Sequence, residues 1–75
     1  MRNSDIVIHI DETLDDGRIH RLEKDLGAEP GVLSACCHER TPHLMVVDFD
    51  GDRVRPSDIV QSVRSRGLHA EMLGL

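Results

Sequence analysis

The apolar residues of this chain fall into six short runs, separated by loops that are rich in glycine, proline and acidic residues. Ile19, Leu22 and Leu26 recur at i, i+3 and i+7, the spacing of one helix face, and a second apolar helix face follows Pro56. The other four runs are β-branched or alternating and predict strands. The predicted elements are, in chain order, strand 5–10, helix 15–26, strand 32–39, strand 43–49, helix 56–66 and strand 68–73.

This β-α-β-β-α-β order is that of the ferredoxin-like fold, an α+β sandwich. It predicts one domain over residues 1–75, with a four-stranded antiparallel sheet in strand order 4-1-3-2 and two helices on one face. We call the uncovered side of the sheet the open face. Alternation along the first, third and fourth strands assigns it the following residues: Val7, His9, Leu44, Val46, Asp48, His69 and Glu71.

Charge and composition exclude several classes of partner. The net charge is −5, with 14 acidic against 9 basic residues, and this sign repels nucleic acid. Phe49 is the single aromatic residue of the Phe, Tyr and Trp set, so a base-stacking platform is not expected. No apolar run approaches the roughly 20 residues that span a membrane. The first residues turn acidic too soon for a signal peptide, so we expect a cytoplasmic protein with reduced cysteines.

Three longer stretches together resemble one family. "IHRLEKDL" (19–26) looks like its first helix, and "PGVLSA" (30–35) looks like its entry into the second strand. "VDFDGDRVRPSDIVQSVRSRGLHAEML" (47–73) looks like its third strand, Pro-led helix and last strand. The family is that of the heavy-metal-associated domains, found in copper chaperones and in metal-transporting P-type ATPases. The resemblance implies a ferredoxin-like fold and a function in metal binding or trafficking.

The chain departs from this family at the metal motif. That motif, Met-x-Cys-x-x-Cys, stands just before the first helix and supplies two thiolates. Here its three positions are occupied by Thr13, Asp15 and Arg18. None of these side chains supplies a thiolate, and Arg18 places a positive charge where a cation would bind. The metal chemistry of the loop is therefore not expected in this chain.

The two cysteines lie in "SACCHER" (34–40), with a histidine directly behind them. The family pattern implies that Val32 and Ala35 face the helices, and alternation from Ala35 then turns Cys37 the same way. Cys36 and His38 are left on the open face, so the cysteines are a poor redox pair. A thiolate and an imidazole on one strand suit zinc or copper. We predict a metal site at Cys36 and His38, completed by Asp48 or His9, or by a second copy of the chain.

Other interpretations remain open for the same residues. Cys36 and His38 can be exposed side chains with no shared role. The acidic loop residues invite a Ca²⁺ or Mg²⁺ site, but their spacing is not that of an EF-hand, and a solvated loop that caps the helix explains them equally. These residues are Asp11, Glu12, Asp15 and Asp16. An enzyme is not expected, because Cys36 and His38 would lie about 7 Å apart along a strand without an orienting group.

The open face also predicts a protein interface. Val7, Leu44 and Val46 form an apolar strip on an uncovered sheet, which often marks a contact surface. The second strand is expected at a sheet edge with no lysine along it. The competing hypothesis to metal binding is therefore a homodimer or a protein partner, held through the open face or this edge strand.

Overall fold

A computed structural model of the chain describes residues 2–38 and 40–74. Its sheet has the strand order β2-β3-β1-β4, and every neighbouring pair is antiparallel. The predicted ferredoxin-like fold and its strand order are thereby confirmed. The elements, in chain order, are β1 (Asn3–Ile10), α1 (Asp16–Gly27), β2 (Val32–His38), β3 (Thr41–Asp50), α2 (Pro56–Arg64) and β4 (Ala70–Gly74).

The core lies between the sheet and the two helices. Strand β1 contributes Ile6, Ile8 and Ile10, which are 0%, 0% and 1% exposed. Each such side chain contributes about 1.5–3 kcal/mol when buried, so these three anchor the central strand. Both helices turn their predicted apolar faces toward the sheet, although Ile19 of α1 stays half-exposed. The other large core residues are Leu22, Leu26, Val32, Met45, Val47, Phe49, Ile59, Val60, Val63 and Leu68.

A bulge in β2 decides which of its side chains reach the core. Val32 pairs with Phe49 and Ser34 pairs with Asp48, so Leu33 is an extra residue without a partner on β3. Because the bulge shifts the alternation by one, Val32 is buried, and Ala35 and Cys37 further along the same strand also pack against the core. The predicted inward orientation of Cys37 is confirmed.

Several element ends differ from the prediction. Helix α1 runs one residue past its predicted end and includes Gly27 as its last residue, and Ala28 follows as a right-handed C-cap that needs no glycine. Strand β3 begins at Thr41, two residues early, and Glu39, the predicted end of β2, lies outside the described residues. Strand β4 begins only at Ala70, since Leu68 turns into the core. Neither helix in the described part is long and apolar enough to cross a membrane.

Gly31, which precedes β2, allows a sharp stability test. Its φ is +87°, and a Cβ added there would lie 2.9 Å from Cγ1 of Val54. Gly67 has a similar φ of +82° but open space around it. The left-handed conformation costs a non-glycine residue about 1–2 kcal/mol. We therefore expect Gly67→Ala to lower the free energy of unfolding by that amount and Gly31→Ala to lower it further, as measured by urea denaturation. Equal losses would contradict the steric contact with Val54.

Candidate functional site

The β1–α1 loop, where the family resemblance would place a metal, holds no soft donor. Asp15 caps α1, and its Oδ1 accepts a hydrogen bond of 2.8 Å from the backbone N–H of Arg18. The Arg18 side chain lines a shallow cavity of about 250 Å³ together with Arg21 and Arg66. A carboxylate occupied as a helix cap and three nearby guanidinium groups do not fit a copper ion.

Glu12 ties this loop to the start of β4. Its carboxylate accepts hydrogen bonds from both the backbone N–H of His69, at 2.8 Å, and the ring Nδ1 of His69, at 2.6 Å. The hydrogen bond between the side chains lowers the pKa of Glu12 and raises the pKa of His69. The backbone N–H of Asp11 also donates to the carbonyl of His69, at 2.9 Å. The acidic loop residues therefore serve separate structural contacts and do not converge on a hard cation.

Cys36 and Asp48 lie on neighbouring strands of the open face, but they are not opposite each other. Cys36 pairs with Val46, whereas Asp48 pairs with Ser34. Oδ2 of Asp48 accepts a hydrogen bond of 2.9 Å from the Ser34 hydroxyl. One oxygen of the carboxylate is therefore already hydrogen-bonded, two residue pairs along the strands from the thiol.

The two predicted histidine ligands lie at different places on the sheet. His38 follows a second register shift in β2, and its Nδ1 accepts a hydrogen bond of 3.1 Å from the backbone N–H of Arg40. A neutral His38 then carries its proton on Nε2, so neither nitrogen offers a free lone pair. His9 is on β1 opposite Leu44. Within residues 2–38 and 40–74 no three His, Cys, Asp or Glu side chains converge on one metal position.

The two cysteines have different environments, in agreement with their predicted orientations. Cys36 is exposed, and burial together with the charge of Glu23 raises the pKa of Cys37 to about 11. The backbone N–H of Cys37 donates to Oε2 of Glu23 at 2.7 Å, and the Cys36 thiol donates to the Cys37 carbonyl at 3.7 Å. No lysine lies along this edge strand, but the carboxylate of Glu23 on α1 accepts the backbone N–H of Cys37 and so occupies one hydrogen-bond position of the edge.

Sequence reasoning missed His43, which lies beside His9. The two ring centroids are 5.9 Å apart and the ring planes differ by 19°. Nδ1 of His43 is 2.8 Å from the carbonyl oxygen of Ile10, and Nδ1 of His9 is 3.1 Å from Oδ1 of Asp11. The sequence could have predicted this proximity in part, because antiparallel pairing brings the end of β1, which carries His9, to the start of β3, which carries His43.

With this geometry established, solved structures give the class of scaffold. The copper-binding domain of HMA7, a P-type ATPase, matches with a TM-score of 0.83 and 24% identity, over 99% of this chain and 96% of that one. The apo copper chaperone of Enterococcus hirae matches with 0.79 and 22%, over 91% and 98%. The copper form of a CopA variant from Bacillus subtilis matches with 0.77 and 20%, over 99% and 96%.

These likenesses show that the chain shares its ferredoxin-like fold with these three solved structures. No family model matches the sequence, and no curated protein matches it. The residues at the loop positions of this chain, Thr13, Asp15 and Arg18, must therefore be interpreted from their own chemistry.

The contact between Glu12 and His69 predicts a pH-dependent contribution to stability. The folded pKa of His69 lies above its ordinary 6.5, so its contribution is complete below about pH 6.5 and is lost as the pH rises through the folded value. The folded pKa of Glu12 lies below 4.5, so its contribution is complete above about pH 4.5 and is lost in more acidic solution.

We expect His69→Gln to lower the melting temperature more at about pH 5.5 than at about pH 9, because the charge on His69 is lost as the pH rises through its raised pKa. His20→Gln, an exposed change on α1, is the matched control and should show no such difference. A loss for His69→Gln that is equal at both pH values would contradict an ionised pair.

Proposed function

We propose that this chain is a small non-catalytic binding module whose ligand is a copper or zinc ion, held on the open face and not in the β1–α1 loop. One observation supports the proposal above others: structures described as copper-binding domains or copper chaperones match 91–99% of this chain. The chain shares the fold of these structures over nearly its whole length, while Thr13, Asp15 and Arg18 stand at the loop positions where the resembled family has its metal motif. The donors left for a soft or borderline ion are those on the sheet.

Cys36 is the preferred sulfur ligand. A metal ion binds the thiolate and not the thiol, so an exposed cysteine is favoured over one whose pKa is raised. Cys37 is half-buried against the core, and its pKa of about 11 keeps it protonated at neutral pH. Cys36 and His38 line a common shallow depression on the surface together with Cys37 and Arg40. For His38 to join, its Nδ1 must give up the hydrogen bond from Arg40.

A single chain leaves this site incomplete. Asp48 would have to leave Ser34, and His9 would have to reach across β3 from the strand beyond. A second copy related by a two-fold axis offers a simpler completion, because it repeats the same donors. Two copies of Cys36 and His38 supply two thiolates and two imidazoles, which is a common zinc coordination set. We therefore favour a metal ion shared between two chains.

Native mass spectrometry of the reduced protein with zinc or copper(I) tests this proposal. We expect one ion per two chains, lost in Cys36→Ser because the thiolate is removed. Cys37→Ser is the matched control, since its side chain packs toward the core, and it should retain the ion. Unchanged metal uptake by Cys36→Ser would show that Cys36 is not a ligand and would contradict the proposed site.

A second candidate function is self-association without a metal. Val46 is 40% exposed on the open face, opposite Val7 on one side and Cys36 on the other. Leu44 lies beside this row, opposite His9 on β1, and extends it along the strands. A two-fold axis through the face would set the apolar row of one copy on that of the next, so a second copy suits it as the occupant.

Sedimentation velocity in the presence of a chelator tests the second candidate. We expect concentration-dependent dimer that falls in Val46→Lys, because a charge is placed inside the apolar row. Met72→Lys is the control, since Met72 is 47% exposed but lies on β4 opposite Ile8. A wild-type protein that stays monomeric at all concentrations would exclude this candidate.

A further inference from the structure

A cavity between α1 and the segment that links α2 to β4 gathers three of the nine basic side chains of this acidic chain. It has a volume of about 250 Å³, and it is lined by Arg18 and Arg21 of α1 and by Arg66, which follows α2. Among the described residues that line it, Asp25 is the one acidic side chain. The cavity is therefore positively charged, although the net charge of the chain is −5.

The spacing of residues along α1 explains how this cavity forms. Arg18, Arg21, Leu22 and Asp25 follow one another at i, i+3, i+4 and i+7, so they lie on one side of the helix. The arginines are exposed, whereas Leu22 is 4% exposed and Leu68, which also lines the cavity, is 9% exposed. The cavity therefore has a cationic rim and an apolar base.

Two of the three guanidinium groups are available to a ligand. In the part of the chain that the structure describes, the side chains of Arg18 and Arg21 make no hydrogen bond and no ion pair. Arg66 is held in place, because its Nη1 donates to the Ser62 carbonyl at 2.6 Å and its Nη2 lies 3.5 Å from Oε1 of Glu29. Like charges at i and i+3 repel each other on a helix, and a bound anion would relieve that repulsion.

We propose that this cavity binds a small phosphate monoester, with the phosphate on the arginines and the organic group against the leucines. Guanidinium groups bind phosphate through paired N–H···O hydrogen bonds. A phosphate monoester carries a charge of about −1.5 to −2 at pH 7. This charge matches three cations offset by one carboxylate, whereas a monocarboxylate would leave the cations in excess. The site does not depend on the metal ion proposed for the open face.

The size of the cavity and the charge of the chain favour a small ester over larger sources of phosphate. Sites for drug-sized ligands have volumes of roughly 300–1,000 Å³, and this cavity is smaller. A nucleic acid or an anionic membrane would also meet the acidic surface around the cavity. A small ester avoids most of that repulsion, because salt screens charges beyond about 8 Å at physiological ionic strength.

Two-dimensional ¹H–¹⁵N spectra that include the arginine Nε–H groups test the proposal on the wild-type chain, with phenyl phosphate as the probe. At fixed ionic strength and about pH 7.5, where the phosphate is mostly a dianion, we expect saturable shifts at Arg18 and Arg21. Benzoate keeps the ring but carries one charge, and inorganic phosphate lacks the ring, so both should bind more weakly.

Each of the other outcomes of this titration would overturn part of the proposal. Benzoate that binds as tightly as phenyl phosphate would overturn the preference for phosphate. Inorganic phosphate that binds as tightly would overturn the role of the apolar base. Shifts that do not saturate, or that are confined to arginines outside the cavity, would overturn the site itself.

Variants separate a built site from general charge attraction. Arg18→Gln and Arg21→Gln should each weaken the binding of phenyl phosphate about tenfold, which is about 1.4 kcal/mol. Lys24→Gln is the matched control, since it removes the same charge from the same helix but lies outside the cavity. Asp25→Asn should tighten binding, because it removes the opposing carboxylate, and a damaged fold would not produce that result. Equal weakening in Lys24→Gln, or weaker binding in Asp25→Asn, would overturn the proposal.

Discussion

The burial of three isoleucines on the central strand is the constraint on which the other features of this molecule depend. Ile6, Ile8 and Ile10 are shielded by both helices, and β1 pairs with a strand on each side. A slip of one residue would expose all three, at about 1.5–3 kcal/mol each, and would turn Val7 and His9 inward. The register of β1 is therefore strongly determined, and with it the composition of the central part of the open face.

Strand β2 has two register shifts against β3, and these shifts determine the environments of its cysteines and its histidine. The bulge at Leu33 shifts the alternation so that Ala35 and Cys37 face the helices. The second shift, between Cys37 and His38, moves His38 opposite Thr41 and brings its ring to the backbone of Arg40. Both residue types can bind metals, yet the backbone around them leaves one thiol exposed and one imidazole already occupied by a hydrogen bond.

The β1–α1 loop shows how one scaffold can be held together by different local interactions. Asp15 supplies the cap that begins α1, and Glu12 joins the loop to β4 through His69. These are ordinary hydrogen bonds between neighbouring elements, and they order the loop. Arg18, at a position where the resembled family has a thiolate, adds a positive charge. The loop therefore keeps its place in the fold without the donors of the resembled family.

Local patterns in the sequence determined the six elements, their order and nearly the whole core, because helix and strand periodicities depend only on spacing along the chain. The family resemblance assigned Cys37 to the core side and Cys36 to the open face, whereas strict alternation from Val32 would have reversed the two. Tertiary structure alone decided that Cys36 stands opposite Val46, that Asp48 bonds to Ser34, and that His43 lies beside His9. Those neighbours depend on strand register, which is set by bulges and by the hairpin between β2 and β3. A bulge is the outcome of packing between distant segments, so no local pattern announces it.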